Sequence, residues 1–586
     1  MFKLKSSFVL LNAALLAACS SNGGSFDVQS AKVESQTQTT PKKPSLQDDN
    51  SNARRTVSAS ETEALLQPGF GFSAKIPRRN LNPKGKEDVA PIGDITEITG
   101  DLTKIPHEEE VKKYGSSDDG FSHTHDGNHK LHTRDFNFVR SGYVLHSGAK
   151  PEIIRSDNIL RIGAHGYVYY LGIEPAKAIP TQKATYKGYW DFTTDARKGR
   201  DSKYFSNSAG INIGAIPENS HDINVDDSTK PMGHTGEFTA DFANKTLTGT
   251  LVRNGYVSRI KEQKITPIYD IDAKIKGNRF SGKANAKNAN DPYFGKSSTT
   301  LEGGFFGGEA QELAGKFLAD DKSVFVVFAG KRDAKENDGE RTFDAFKIKL
   351  KDLNKSEMDT FGNATHLIIN NKQIPLIAEG KKSFAEMKFD DLVTRTIDGK
   401  TYRVSVCCNN LDYVKFGIYS EGNNNNSDTA HQYLVGERTA VADLPTGTVK
   451  YRGTWDGVMY SKSGSAGAES PSNSESGTRS LFDVDFVNKK INGKLIANDG
   501  VEERPMLTLE GELKGNGFAG TAKTGDSGFN LDPKSTNGGT VVHMNAQFEG
   551  GFYGPKATEL GGIVHSAETD KDKVSITFGG KRQIEK

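Results

Sequence analysis

The chain repeats itself, and that repetition restricts its fold more than any single motif does. Tyr186-Lys-Gly-Tyr-Trp190-Asp191 returns as Tyr451-Arg-Gly-Thr-Trp455-Asp456, and these segments hold the only 2 tryptophans in the chain. Upstream, Tyr170-Leu171 and Ile179-Pro180 return as Tyr433-Leu434 and Leu444-Pro445. Downstream, the order is kept. Asp241-Phe-Ala-Asn244-Lys245 answers to Asp485-Phe-Val-Asn488-Lys489, Lys276-Gly277-Asn278-Arg-Phe280 to Lys514-Gly515-Asn516-Gly-Phe518, Glu302-Gly-Gly-Phe305-Phe306-Gly307 to Glu549-Gly-Gly-Phe552-Tyr553-Gly554, and Phe328-Ala-Gly330-Lys331-Arg332 to Phe578-Gly-Gly580-Lys581-Arg582. Collinear matches of this kind mark a duplicated unit. The offset shrinks between the tryptophans and the Asp-Phe pairs, which puts an insert in the first copy within the polar stretch 196–235. The second copy has its own polar loop at 461–478, whose Ser, Gly and Glu content predicts mobility.

Inside each copy, short alternating runs such as Val324-Phe-Val-Val-Phe328 and Val574-Ser-Ile-Thr-Phe578 are separated by Asn-Lys, Gly-Asn and Gly-Gly steps. That pattern predicts antiparallel strands joined by hairpins. Closing such a meander into a barrel removes its exposed edges, so one barrel of about eight strands is expected per copy. The segments ahead of the barrels carry longer, irregular strand candidates at 136–145, 166–171, 365–369 and 402–407. The expected fold class is therefore mainly β, a bilobed internal duplication in which each lobe is a β-rich handle domain plus an eight-stranded antiparallel β-barrel. The expected boundaries are 61–184 and 336–448 for the handles and 185–335 and 449–586 for the barrels.

Residues 1–18 read as a secretory signal, with Lys3 and Lys5 ahead of an apolar stretch closed by small residues. Leu16-Ala17-Ala18-Cys19 has the form of a bacterial lipobox, so a covalent lipid on Cys19 is the expected membrane anchor. Residues 19–60 are rich in Ser, Gln, Thr, Asn and Lys, and read as a flexible tether.

A formal net charge of +1, with basic and acidic residues interspersed, argues against nucleic-acid binding. Two of the 3 cysteines are adjacent, Cys407-Cys408, and could form a vicinal disulfide or stand as two thiols on opposite sides of a strand. The chain has no G-x-S-x-G elbow, no H-E-x-x-H, no P-loop and no paired C-x-x-C, so an enzyme is not expected. His123, His125, His129 and His132 crowd into ten residues, but their spacing matches no standard ligand pattern and Asp126-Gly127-Asn128 reads as a turn. No metal site is expected from them. In Gly166-Tyr167-Val168-Tyr169-Tyr170-Leu171-Gly172, strand alternation sets Tyr167, Tyr169 and Leu171 on one face and Tyr170 on the other. One reading is a core strand; the other puts at least one tyrosine outward as an interface anchor.

Taken together, the lipobox, the duplicated Tyr-x-Gly-x-Trp openings, the Glu-Gly-Gly-Phe-(Phe/Tyr)-Gly segments and Cys407-Cys408-Asn-Asn-Leu-Asp-Tyr-Val-Lys-Phe-Gly417 resemble the transferrin-binding protein B family. These are surface lipoproteins that act as co-receptors for host transferrin in Gram-negative pathogens. The resemblance implies a protein anchored to the outer membrane and exposed on the cell surface, whose N-terminal lobe captures iron-loaded transferrin. It further implies delivery to transferrin-binding protein A, a TonB-dependent channel. Iron stays in transferrin's own site, so no cofactor is implied beyond the lipid on Cys19. Carried onto this chain, it suggests Tyr167, Tyr169, Tyr170 and Leu171 as contact residues, with Lys177 at the rim.

Two rivals follow. A lactoferrin-binding homologue would carry long acidic stretches in the second lobe, and none occurs. A small-molecule carrier would use a hollow barrel, since Gly-x-Trp also opens lipocalin-like barrels.

Overall fold

The computed structural model describes residues 45–56, 70–197 and 233–585, apart from breaks at 81–88, 94, 116–119, 125–133, 156–157, 256–261, 333–339, 371, 389–390, 398, 423–428, 465, 470–476, 499–502, 537 and 568. Cys19, the signal, most of the expected tether and most of the 196–235 insert lie outside the described residues. The chain divides into two units, one built from 68–339 and the other from 340–586 together with the N-terminal segment up to 67.

In the first unit, eight antiparallel strands from Lys183–Thr194 to Val324–Lys331 close into a barrel. The second unit repeats it from Thr448–Tyr460 to Lys573–Glu585, and the last strand pairs back onto the first. The repeated motifs turn out to be the working parts of the barrel. Asp241 and Asp485 each accept the backbone N–H of the Asn three residues on, at 2.9 Å, in a turn whose Lys245 and Lys489 take positive φ. Trp190 and Trp455 are fully buried, and their indoles donate to Val252 O at 3.0 Å and Ile496 O at 3.1 Å. Tyr186 and Tyr451 donate to Ala310 O and Ala557 O at 2.7 and 2.8 Å. The Phe280 ring lies over Gly303, where a Cβ would come within 2.4 Å of it, and Phe518 lies over Gly550 in the same way. Phe-on-Gly packing explains why the two motifs travel together.

Each barrel carries its handle on one buried carboxylate. Glu312 opens the seventh strand of the first barrel and accepts three consecutive backbone N–H groups, from Asn137, Phe138 and Val139, at 2.7, 2.8 and 3.0 Å. Glu559 does the same for Asp412, Tyr413 and Val414 at 2.8, 2.8 and 3.1 Å. The acceptors fix the start of the handle strands Val139–His146 and Val414–Glu421. Burial raises the Glu312 carboxyl's pKa, against the lowering effect of those three amides.

Matched residue by residue, the two copies also differ. Three residues before the capped amides, Arg134 makes a fully buried two-pronged pair with Asp191 at 2.6 and 3.2 Å. Asn409 holds that place in the second copy, and the matching Asp456 has a buried Oδ1 with no hydrogen-bond partner. Burial pushes Asp456 up to about 7.

The first handle is a five-stranded sheet in the order Ile95–Glu97, Gly71–Lys75, His165–Gly172, Val139–His146, Phe121–His123, with the helix Glu108–Tyr114 against it. That helix has no counterpart among the sequence expectations. A small sheet of Arg79–Asn80, Ile159–Ile162 and Glu152–Ile154 completes the domain. The second handle is a six-stranded sheet that includes Phe343–Lys349, Val414–Glu421 and His431–Glu437. Cys407 and Cys408 form a vicinal disulfide across a cis peptide bond and pack in the cluster that joins this handle to its barrel.

Two expectations need correction. The polar loop 461–478 is not uniformly irregular, because Ala466–Glu469 pairs with 457–460 as an added edge strand. The tether does not run free to residue 60 either. Leu46–Asp48 is a strand paired with 583–585 on the last strand of the second barrel, so backbone pairing and ion pairs capture a stretch that is too polar to form a core.

Replacing Glu559 with Ala orphans three buried amides and the Lys581 ammonium 3.1 Å away, and should destabilise the second lobe by about 3–5 kcal/mol in urea unfolding. Asp456 gives a pH prediction of definite sign. Its folded pKa lies above its unfolded value of 3.8, so its favourable contribution is complete below that value and is lost as pH rises through about 7. Asp456→Asn should therefore match the parent near pH 4 in a melting experiment, and exceed it by several degrees at pH 8, about the shift expected from a few kcal/mol.

Candidate binding surface

The tyrosine strand proposed as an anchor lies in the centre of the first handle's sheet, and both of its faces are covered. Tyr169 and Tyr170 are 0 % exposed, Leu171 2 % and Tyr167 8 %. One face packs with Val111 of the helix and with Val144, and Tyr170 on the other meets Phe72 with ring centroids 6.2 Å apart. The helix that went unread in the sequence is the reason: it covers the face that would otherwise present Tyr167 and Tyr169. Burial raises the pKa of the Tyr169 and Tyr170 phenols. These residues are core, and the outward-anchor reading is corrected. Lys177 is half-buried, and its backbone N–H donates to Gly308 O at 3.3 Å in the passage from handle to barrel.

Polar and aromatic contacts bind the helix to this strand. His107 stacks on Tyr167 and Tyr114 on His165, each with centroids 3.8 Å apart. The Tyr167 hydroxyl donates to Glu110 Oε1 at 2.8 Å, and His165 Nε2 lies 3.3 Å from the same oxygen. Burial pushes His165 down to about 4, so it is neutral at physiological pH. Burial works to raise the Glu110 carboxyl, but the Tyr167 hydroxyl and His165 outweigh it and leave the group lowered.

What the first handle does expose lies at the far end of this helix. Tyr114 is 40 % exposed, and its carbonyl accepts from Lys150 N at 2.9 Å, just ahead of the hairpin 152–162. On that hairpin Ile153, 66 % exposed, sits on an edge strand and pairs with Leu160. Glu152 and Arg161 flank them as an exposed pair 3.8 Å apart. An aromatic and two aliphatic side chains with a charged rim have the make-up of a protein contact. Among the described residues of the second handle, Val441 is 41 % exposed, in the 3-10 turn Val441–Asp443 that leads into the barrel; the other exposed apolar residues of that unit, such as Val487 and Val541, belong to the barrel. Sequence reading missed this surface because Ile153 looks like any other strand residue until its face is known to be bare.

Other candidates fared differently. His123 lies on the strand Phe121–His123 beside Phe121, while His125, His129 and His132 lie outside the described residues. Among the described residues, no group of three or more metal-ligating side chains converges. Both barrels are filled: Tyr186, Trp190, Phe192, Phe238, Tyr269 and Phe305 share the first core, and Tyr451, Trp455, Phe482, Phe518, Phe548 and Phe578 the second. A barrel packed with aromatic side chains is poorly suited to carrying a small molecule. No helix among the described residues is long and apolar enough to cross a membrane.

Profiles of known families cover nearly the whole of the described chain. The N-lobe handle of Tf-binding protein B matches 45–176, its N- and C-lobe barrels match 179–332 and 444–582, and its C-lobe handle matches 340–439. The chain belongs to the transferrin-binding protein B family. A transferrin-binding protein B of Neisseria meningitidis serogroup B is 37 % identical across 98 % of both chains, and one from Haemophilus influenzae is 33 % identical across 97 % of both. A structure described as intact Ap-TbpB, with N and C lobes, superposes with a TM-score of 0.73 at 34 % identity, covering 92 % of this chain and all of the other. The isotype 1 transferrin-binding protein B from serogroup B N. meningitidis gives 0.72 at 36 % identity, covering 88 % of this chain and 100 % of its own. In this family member, the first lobe is thus the N-lobe and the second the C-lobe. The family's N-lobe handle profile opens at residue 45, although 46–48 pair with the C-lobe barrel.

Tyr169→Ala and Tyr170→Ala should each cost the N-lobe about 3–5 kcal/mol in denaturant unfolding, as expected for emptying a large aromatic site in a core. Ile153→Asp should leave the midpoint within about 0.5 kcal/mol of the parent, as expected for an exposed position.

Proposed function

We propose that this protein captures iron-loaded host transferrin at the bacterial surface through its N-lobe and delivers it to transferrin-binding protein A, a TonB-dependent outer-membrane channel. Membership of the transferrin-binding protein B family over the length of the chain carries the reading. A diacylglyceryl group on Cys19 holds the protein to the outer membrane. Iron stays within transferrin throughout, and the receptor contributes recognition rather than chemistry. Contact is made by Tyr114, Ile153 and Leu160 at the outer end of the N-lobe handle, where Tyr114 and Ile153 are exposed and Leu160 is half-buried beside Ile153.

Titration of the purified chain with iron-loaded transferrin, iron-free transferrin and lactoferrin tests both halves of the proposal. The parent should prefer iron-loaded transferrin. Ile153→Asp and Tyr114→Ala should each weaken that binding by about 2 kcal/mol, roughly thirtyfold. Equal binding by parent and variants would move the contact to other loops. Binding of lactoferrin alone would replace the ligand.

A further inference from the structure

Residues 46–55 lie across the C-lobe and touch both its barrel and its handle. Leu46, Gln47 and Asp48 pair antiparallel with Glu585, Ile584 and Gln583, and Asp49 N donates to Arg582 O at 2.8 Å. The Asp49 carboxylate accepts from Arg582 Nε at 2.8 Å, while Asp48 accepts from Gln583 at 2.7 Å and from Asn410 at 3.0 Å. Further on, Arg54 grips both oxygens of Asp412 at 2.6 and 3.0 Å. Arg55 pairs with Glu437 and lies 4.4 Å from the centroid of the Tyr413 ring.

The way this segment is held differs from everything beneath it. No residue of 46–55 belongs to any of the three C-lobe core clusters, and Asp49 alone among them is buried. Three ladder residues, one further backbone bond from Asp49, side-chain hydrogen bonds to Asp48 and three ion pairs make up the attachment; Asp49 and Asp412 are buried in it, but each arginine keeps 17–30 % of its side chain exposed, so salt reaches and screens every pair from that side. The barrel does not need the segment for closure, because its last strand already pairs with the first from Tyr460↔Lys573 to Lys450↔Gln583.

We propose that residues 46–55 are a detachable strap, held in a charged groove of the C-lobe, that sets how much chain separates the lipid from the lobes. The proposal rests on lipidation of Cys19. With the strap docked, the 26 residues Ser20 to Ser45 connect lipid to C-lobe and span at most about 90 Å. With it released, the 50 residues from 20 to 69 connect the lipid to the N-lobe handle, which doubles the greatest reach to about 175 Å. Release also bares Asp412, Glu437 and the backbone edge at 583–585.

Hydrogen exchange on the full lipidated chain in detergent, read at the amides of residues 46–49 and of the strand Lys573–Glu585, tests the strap. Raising salt from 0.05 to 1 M, or substituting Arg54→Glu with Arg55→Glu, should speed exchange at 46–49 by about tenfold or more while the barrel strand stays protected. Arg55→Glu alone should give part of that effect, and adding Glu437→Arg should reverse it. Unchanged exchange at 46–49 overturns the proposal, as does equal acceleration in the barrel, which would make the segment an integral strand. On lipid vesicles, fluorescence transfer from an N-lobe label to the bilayer should fall in the Arg54→Glu, Arg55→Glu variant, and an unchanged signal on bound protein overturns the reach claim. Failure of the parent to bind vesicles at all would remove the lipid on Cys19 while leaving the exchange result to decide the strap.

Discussion

Two buried carboxylates, Glu312 and Glu559, hold each handle to its barrel. Three adjacent backbone N–H groups at the start of a strand cannot be satisfied by that strand's own ladder, and leaving them dry is costly. One carboxylate at the head of the seventh barrel strand satisfies all three and fixes handle and barrel in register. The sheet of each handle, and every surface on it, is positioned from that point. The charge is balanced locally in the C-lobe by Lys581, while the matching Lys331 pairs with Asp135.

Duplication preserved this joint and let its surroundings diverge. Arg134 and Asp191 form a buried ion pair in the N-lobe, whereas the C-lobe keeps the aspartate, loses the arginine and stands a carboxylate of raised pKa in the same layer. The N-lobe handle covers its central tyrosine strand with a helix and leaves Tyr114 and Ile153 outside. The C-lobe handle has a vicinal disulfide in its joint and a ten-residue strap across it. The bare hairpin residue Ile153 on the N-lobe handle and the charged groove on the C-lobe handle point to different tasks for the two lobes.

Much of the fold was legible because duplication doubles every signal. A turn such as Asp-Phe-x-Asn-Lys, read once, is weak; read twice in the same order, it marks a barrel hairpin. The strand 165–172 was placed correctly and its partners were not, since period-two alternation names two faces without saying what covers either. The helix Glu108–Tyr114 is short and strongly charged, with Val111 its one buried residue, so it carries too little apolar periodicity to be read. The Glu312 and Glu559 pair went unread as well, although Glu-Leu begins the seventh strand in both copies, because a lone acidic residue in a sequence is ordinarily a solvated one.

Sequence alone determined the number of lobes, the barrel in each and the family, because periodicity, turn residues and repeat order are local properties that survive without coordinates. Tertiary structure alone decided which tyrosines are core, which apolar residues of the N-lobe handle face outward and where the N-terminal segment ends its free run. Those outcomes depend on partners hundreds of residues away, as Arg54 and Asp412 are, and on which of two chemically similar faces another element happens to bury.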